Sequence, residues 1–458
     1  MHPRLVFYFP PPFQGRAWLA CLGCLRSGSH IRLVVRSIVC SLMHLRLAFY
    51  TAMLLALLAT SATVCLARFG PYTGDSGRYL QIAANLSNGN GFSGATQAPY
   101  DPEVFRPPMY PLFLAGLMRL GLDVYGVVLV QIVLYVTAIQ IAMRTTLTVT
   151  GNPLAAGLQG LLLAANPALV RWTVSITTEA LCTALFCLVA WCIVRSLHQA
   201  TWSNTITLGI SIVFLLLTRA TYVVLVPLVI GVSLITSWKV GRLRYVGVLA
   251  MIVLVPTALW IGRNLSMMPS EFHPFGIGSG MALWGRAVEL QEASQQRGTV
   301  LIASNRDYQV AHEGTDPALQ AKADADLFRA ASEAIRFRWT EFVRMTLSLI
   351  VFREWVERYD PGLPAAALWA VTAGSGALLG MAYVGIFLLR SRWACALPLL
   401  VLCFGVAAAH APFATEARYT APVRPILYMF SALTAAWVAE WVIGVMRRRT
   451  VGSGWQEG

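Results

Sequence analysis

Charge is scarce in this sequence, and lysine is scarcer still. Asp, Glu, Lys and Arg together supply 12% of 458 residues, against 57% hydrophobic residues and a mean hydropathy of +0.62. That balance excludes an ordinary soluble domain. Only Lys239 and Lys322 are lysines, so the net charge of +14 is almost wholly arginine. The excess is not a nucleic-acid signal, because the basic residues gather at the ends of apolar runs. There they orient helices and meet anionic lipid head groups. The nine cysteines lie in apolar runs or in the N-terminal extension and none in a long polar loop, which excludes a disulfide framework. Cys21 and Cys24 form a C-x-x-C pair with no second ligand pair, and no His/Cys/Asp grouping has zinc-ligand spacing. No repeat relates the two halves of the chain, as many transporter folds require.

What is present is a succession of apolar runs, and these predict an all-α polytopic membrane protein. The spans are expected at roughly 46–67, 124–143, 154–171, 173–194, 204–218, 220–237, 244–262, 364–389, 394–412 and 421–446, about ten in all. Residues 1–45 form a basic, proline-broken extension. Since Met43 opens a natural start, the first 42 residues are either a start-codon overcall or a cytoplasmic tail. An N-terminal transmembrane module then covers 46–262 and carries a first polar loop at 68–123. A large loop at 263–363, C-terminal transmembrane helices at 364–446 and a tail at 447–458 complete the chain. Short apolar segments at 109–120 and 341–352 suit interfacial helices rather than spans.

Charge orients the bundle. If the spans alternate, Arg144, Arg195, Lys239, Arg242, Arg244, Arg390, Arg392 and Arg447 to Arg449 share one side, which the positive-inside rule makes cytoplasmic. Asp75, Asp101, Glu103, Asp123, Glu179, the acids from Glu271 to Asp360, and Glu416 then fall on the outer side. Only Glu440 and Glu457 lie towards the cytoplasm. Within the large outer loop, DPALQAKADADLFRAASEAIRFRW reads as a charged helix whose apolar side is Leu319, Leu327, Ala331, Ala334 and Ile335, a cap over the outer mouth.

The chain is organised around residues 68–111. Asp75 opens a helical pattern with Tyr79, Ile82, Ala83 and Leu86 on one face, suited to the membrane surface. The run Ser87 to Gly91 stops it, and Arg106, Pro107 and Pro108 return the chain to the lipid. Asp75 has two readings, a helix N-cap or a reactive carboxylate. Glu179 lies within an apolar helix, where an acid marks a site or pairs with an arginine such as Arg171. Arg219, at a tight outer hairpin, has the same two readings. For Arg263, beside Asn264 at a span end, helix-end snorkelling is the alternative. His410 fits a hydrogen-bonded structural histidine. Before the last span, Glu416, Arg418, Tyr419, Pro422 and Pro425 form E-x-R-Y-x-x-P-x-x-P, in which Arg418 and Tyr419 can donate to phosphate oxygens.

In this order the motifs resemble the GT-C superfamily of membrane glycosyltransferases. The closer likeness is to the protein-O-mannosyltransferase-like branch that includes the aminoarabinose transferase of lipid A. The matching elements are Asp75 with Arg78 and Tyr79, ANLSNGNGF, Arg106 to Pro111, N-P-A-L with Glu179, L-T-R ending at Arg219, G-R-N at Gly262 to Asn264, and the Glu416–Pro425 motif. The resemblance implies a GT-C-like bundle with outer-face amphipathic helices and a helical cap. It also implies an enzyme of the bacterial inner membrane whose site faces the periplasm. Such an enzyme moves a sugar from a polyprenyl-phosphate carrier, with inversion, to a glycan, lipid or protein acceptor. The family's first-loop aspartate falls on Asp75. Some relatives carry a second acid just before the basic-Pro segment, where this chain has Phe105, with Asp101 and Glu103 nearby.

The residue types suit that chemistry. A carboxylate takes the acceptor's proton, and arginines stabilise the lipid phosphate as it gains charge. Asp75 is the expected base, with Glu103 as second acid. Arg418 with Arg106 or Arg263 is expected at the phosphate, and Arg78, Tyr79, Glu179, Arg219, Glu416 and Tyr419 complete the substrate-binding set. A divalent metal is compatible with this scheme but not required by the sequence. A transporter or flippase of a lipid-linked substrate would use the same intramembrane charges, and a noncatalytic subunit of an envelope assembly complex is a third reading.

Overall fold

The computed structural model describes residues 50–51, 53–237, 243–293, 300–314, 316–353, 355–356, 365–413 and 417–452. The extension 1–45, Glu416 and the last residues of the tail lie outside that set. Every regular element among the described residues is helical.

Five stretches are long and apolar enough to cross a membrane: Val124–Thr150, Glu179–His198, Leu243–Met267, Leu368–His410 and Arg418–Val445. A sixth is the pair Pro153–Ala165 and Pro167–Val174, bent by 58° at its break. The expected count of about ten is not confirmed among the described residues. Among these, Met53–Phe69, Trp202–Thr218 and Ala220–Ile235 are apolar helices of 10–17 residues, of which Trp202–Thr218 has described residues beyond both ends. At 1.5 Å per residue Trp202–Thr218 is shorter than a hydrocarbon core of about 30 Å. Residues 364–389 and 394–412 are joined by a 3-10 turn at Leu389–Arg392 into one apolar stretch of 43 residues, Leu368–His410. Its length of about 64 Å at 1.5 Å per residue leaves room for two crossings that meet at that turn. Pro167 restarts a helix within 154–171, since proline cannot donate to the turn before it. The Asn166 side chain caps the restart, accepting from Leu169 N at 3.0 Å.

Buried polar side chains tie these helices together, as expected where no water can satisfy them. Gln131 is the most consequential. Its Nε2 donates to Thr173 O and Ser175 O at 2.8 Å, and Tyr110 Oη donates to its Oε1 at 2.8 Å. Those bonds let the chain unwind after Val174 without leaving carbonyls bare, and the next helix begins at Glu179. At the opposite end of the bundle Arg392 Nη1 donates to Val149 O at 2.9 Å, and Asn152 Nδ2 donates to Glu440 at 3.0 Å.

The first polar loop forms the helix Ser76–Asn88, stopped by Gly89 in the left-handed region, where a side chain would be strained. Its apolar face does not lie on lipid. Tyr79, Ile82 and Ala83 are buried, and the helix packs on Met109–Arg119, with Tyr79 and Tyr110 edge to face at 5.0 Å. A neighbouring helix offers that stripe better-packed contacts than head groups would.

The segment expected as a cap forms Ser279–Ala293, Val300–Glu313, Pro317–Arg336 and Trp339–Ser348. Leu327, Ala331 and Ile335 are buried as the pattern requires, whereas Leu319 is exposed. Asp324 on the same helix is buried instead, because it accepts from Gly280 N at 3.1 Å and Met281 N at 2.9 Å and so caps a neighbouring helix in trans. The cap meets the first loop where Ile277 N donates to Val104 O at 3.2 Å, and meets the last helices where Arg286 donates to Phe413 O.

Candidate active site

Asp75 precedes the first turn of Ser76–Asn88 but makes no side-chain capping bond, so the N-cap reading does not describe it. Ser76 takes the local hydrogen bonds instead: its hydroxyl accepts from Thr73 N and donates to Ile176 O, both at 2.9 Å. The carboxylate is left to two arginines from distant parts of the chain. Arg106 Nη2 donates to Oδ1 at 2.6 Å, and Arg418 Nη2 donates to Oδ2 at 3.0 Å. Burial alone would raise the Asp75 carboxyl, but the charges of Arg106, Arg418 and Arg219 outweigh it and hold the group below its ordinary value.

Both guanidiniums are backed by aromatic faces. Arg106 lies 4.3 Å from the Phe105 ring centroid and 5.1 Å from that of Tyr79; Arg418 lies 5.4 Å from Trp172 and 5.3 Å from Tyr419. Such contacts hold a cation in place without neutralising it. Tyr419 also stands 4.8 Å from Arg219 and stacks on His410 at 5.4 Å. His410 Nδ1 is 2.9 Å from Val406 O, which fits the structural histidine expected from the sequence.

Glu179, at the start of its helix, is buried, with Oε1 3.2 Å from Arg219 Nη2. The partner is thus Arg219 rather than Arg171, whose guanidinium lies over Phe69 and Trp172. Neither Glu179 oxygen has a hydrogen bond of good geometry. Three arginines (Arg106, Arg219, Arg418) and two acids (Asp75, Glu179) therefore converge with one positive charge in excess.

The remaining candidates separate from this group. Glu103 is buried, its Oε2 accepting from Arg78 Nε at 2.7 Å and its Oε1 from Phe105 N at 2.8 Å and Arg106 N at 3.1 Å. It shapes the turn that delivers Arg106, and Arg78 serves the same turn. Arg263 donates to Asn264 Oδ1 at 2.9 Å and lies over Phe92 and Trp260. Of the two arginines weighed as Arg418's partner, the structure brings Arg106 to Asp75. Phe105, where some relatives carry an acid, stacks on Arg106 and stands 5.7 Å from His312 of the cap. Sequence reasoning passed over Trp172; its place in R-W beside N-P-A-L was the available signal. Among the described residues no group of three or more His, Cys, Asp or Glu comes together in a way that could hold a metal ion.

Residues 105–260, about a third of the chain, match the sequence model of the family described as dolichyl-phosphate-mannose-protein mannosyltransferase. That match bears out the resemblance to the GT-C glycosyltransferases drawn from the motifs. No curated protein matches. Among solved structures, the chain is similar to the archaeal oligosaccharyltransferase AglB from Archaeoglobus fulgidus in complex with an inhibitory peptide and a dolichol-phosphate. The identity is 13%, over 89% of this chain and 52% of that one, with a TM-score of 0.49. It is also similar to ArnT from Cupriavidus metallidurans bound to undecaprenyl phosphate, at 14% identity over 85% of this chain and 78% of that one, with a TM-score of 0.39. The chain spans about half the length of the archaeal enzyme. These likenesses are remote, and no residue role follows from them.

Proposed function

We propose that this protein is an integral membrane glycosyltransferase that moves a sugar, hexosyl or pentosyl, from a polyprenyl-phosphate carrier to a cell-envelope lipid, polysaccharide or protein. One observation carries the reading. A carboxylate free of any capping role is held between two arginines, one from its own polar loop and one from just before the last helix. A lipid-phosphate leaving group needs such cations, and an acceptor hydroxyl or amine needs such a base. Inversion fits a single displacement by the acceptor, with Asp75 as the one partly open carboxylate beside buried Glu103 and Glu179. The Arg144, Arg195, Arg390 and Arg392 end of the bundle takes the cytoplasmic side by the positive-inside rule, which turns Asp75 outward.

The test is release of polyprenyl phosphate from polyprenyl-phosphate-linked sugars by the purified protein in lipid nanodiscs, with an envelope extract supplying acceptors. Acceptor-dependent release supports the reading; no release with any sugar sinks it. Orientation is tested separately with single cysteines. Gln97→Cys should react with an impermeant maleimide in intact spheroplasts and Thr148→Cys only after lysis. The reverse pattern would invert the topology.

A further inference from the structure

Both oxygens of Asp75 are engaged by the very guanidiniums that a lipid phosphate would require, Arg106 at 2.6 Å and Arg418 at 3.0 Å. The base and the phosphate clamp thus occupy one another. Neither can act while this pairing stands.

The surroundings make it exchangeable. The Asp75 side chain is 21% exposed and those of Arg106 and Arg418 are 16% and 15% exposed, so a ligand can reach all three. Asp75 is not fixed by a helix-cap bond, and the guanidiniums are steadied from behind by Phe105, Tyr79, Trp172 and Tyr419. If Asp75 releases them, they stay poised and charged. The Glu103–Arg78 pair differs, because two backbone N–H groups also bind Glu103.

We propose that Asp75, Arg106 and Arg418 form a resting latch that a phosphodiester-linked donor opens, by drawing both arginines onto its phosphate and freeing the carboxylate for the acceptor. The proposal rests on the transferase reading above and adds an order to it: donor first, acceptor second. The site's single excess positive charge matches the single negative charge of a sugar phosphodiester. In the transfer the acceptor oxygen or nitrogen bonds to the anomeric carbon, and the bond from that carbon to the phosphate oxygen breaks. Its electron pair stays on the phosphate, now a dianionic monoester, and the acceptor's proton passes to Asp75. The added charge falls where Arg106 and Arg418 have moved, so they hold the leaving group more tightly than the donor.

The latch has a pH signature. The groups facing Asp75 are Arg106, Arg418, Arg219 and Tyr79, with Glu179 behind Arg219. Without donor the arginines keep the carboxyl below its usual value, and such a group is a weak base. Once they share their charge with a phosphate, that value must rise. The acid limb of kcat/KM for the donor reports the free enzyme, and that of kcat reports the complex.

The first measurement is that pair of profiles on the wild-type protein in nanodiscs. The kcat limb should lie about one pH unit or more above the kcat/KM limb; coincident or reversed limbs overturn the latch. The second needs no turnover: binding of polyprenyl phosphate to wild type, Asp75→Asn and Glu179→Gln. Asp75→Asn removes the competitor for both arginines and should bind about tenfold tighter, a difference of about 1.4 kcal/mol. Glu179→Gln makes the same change in charge without freeing them and should gain clearly less. Equal gains mean a general field effect and overturn the latch, as does unchanged or weaker binding by Asp75→Asn. If the wild type never releases polyprenyl phosphate from any donor, the transferase reading fails, while the binding result still stands or falls separately.

Discussion

Asp75 and Glu103 lie in the same polar loop, and sequence reasoning gave both a catalytic place. Their surroundings differ. Glu103 is 1% exposed, and two of its three donors are backbone N–H groups of the next turn. Backbone donors cannot leave without unmaking the turn, so this carboxylate is part of the scaffold. The hydrogen bonds to the Asp75 carboxylate come from side chains of opposite charge, and those can rotate away. A carboxylate's availability is set by what donates to it, more than by whether it is paired.

The largest break in that comparison comes from neutralising each acid. Asp75→Asn keeps the shape but cannot take a proton, so turnover should fall about 100-fold or more. Thermal unfolding of the same variant is the control, because these side chains are only 15–21% exposed and the arginines lose a compensating charge. Retention of more than about half the wild-type turnover would remove Asp75 as the base. Arg418→Lys comes next. Lysine keeps the charge but loses the planar fork, so kcat/KM should drop ten- to hundredfold, in line with roughly 1.5–3 kcal/mol for a charge-assisted bond. Full activity across donor concentrations would reduce Arg418 to an interfacial anchor. Glu103→Gln should show the reverse balance: about 1–3 kcal/mol of stability lost in thermal unfolding, with turnover lowered less than tenfold.

These contrasts also show where the sequence was legible. Period and turn chemistry gave the helix Ser76–Asn88, its stop at Gly89 and the helical cap, because such signals are local. The convergence of Asp75 with Arg418 was legible only as two motifs expected on one membrane side; 343 residues separate them and no local rule fixes their distance. The span count is left unconfirmed where apolarity and length part, as in Trp202–Thr218, whose 17 residues are apolar but short. The burial of Glu103 and the exposure of Leu319 escape the sequence pattern for a shared reason. Residue type predicts polarity, while burial depends on partners such as Phe105 N that lie outside any periodic pattern.

The smallest expected effect is the sharpest probe of the scaffold side. Gly94 passes so close to Arg78 that a Cβ there would stand 2.3 Å from both Cζ and Nε of the guanidinium. Nε is the atom that donates to Glu103. The obstructed group is the far end of a long, 23% exposed side chain, so it should swing into water while the backbone stays in place. Gly94→Ala therefore removes the Arg78–Glu103 contact without changing either charge, and Glu103 keeps its bonds from Phe105 N and Arg106 N. A stability loss of about 0.5–1.5 kcal/mol is expected, with turnover within about threefold of wild type. Combined with Arg78→Gln, the loss should not add, since both changes delete one contact. Additive losses would mean that Gly94 serves the loop in some other way. A collapse of turnover like that of Asp75→Asn would place this turn within the reacting site and erase the distinction between the two carboxylates.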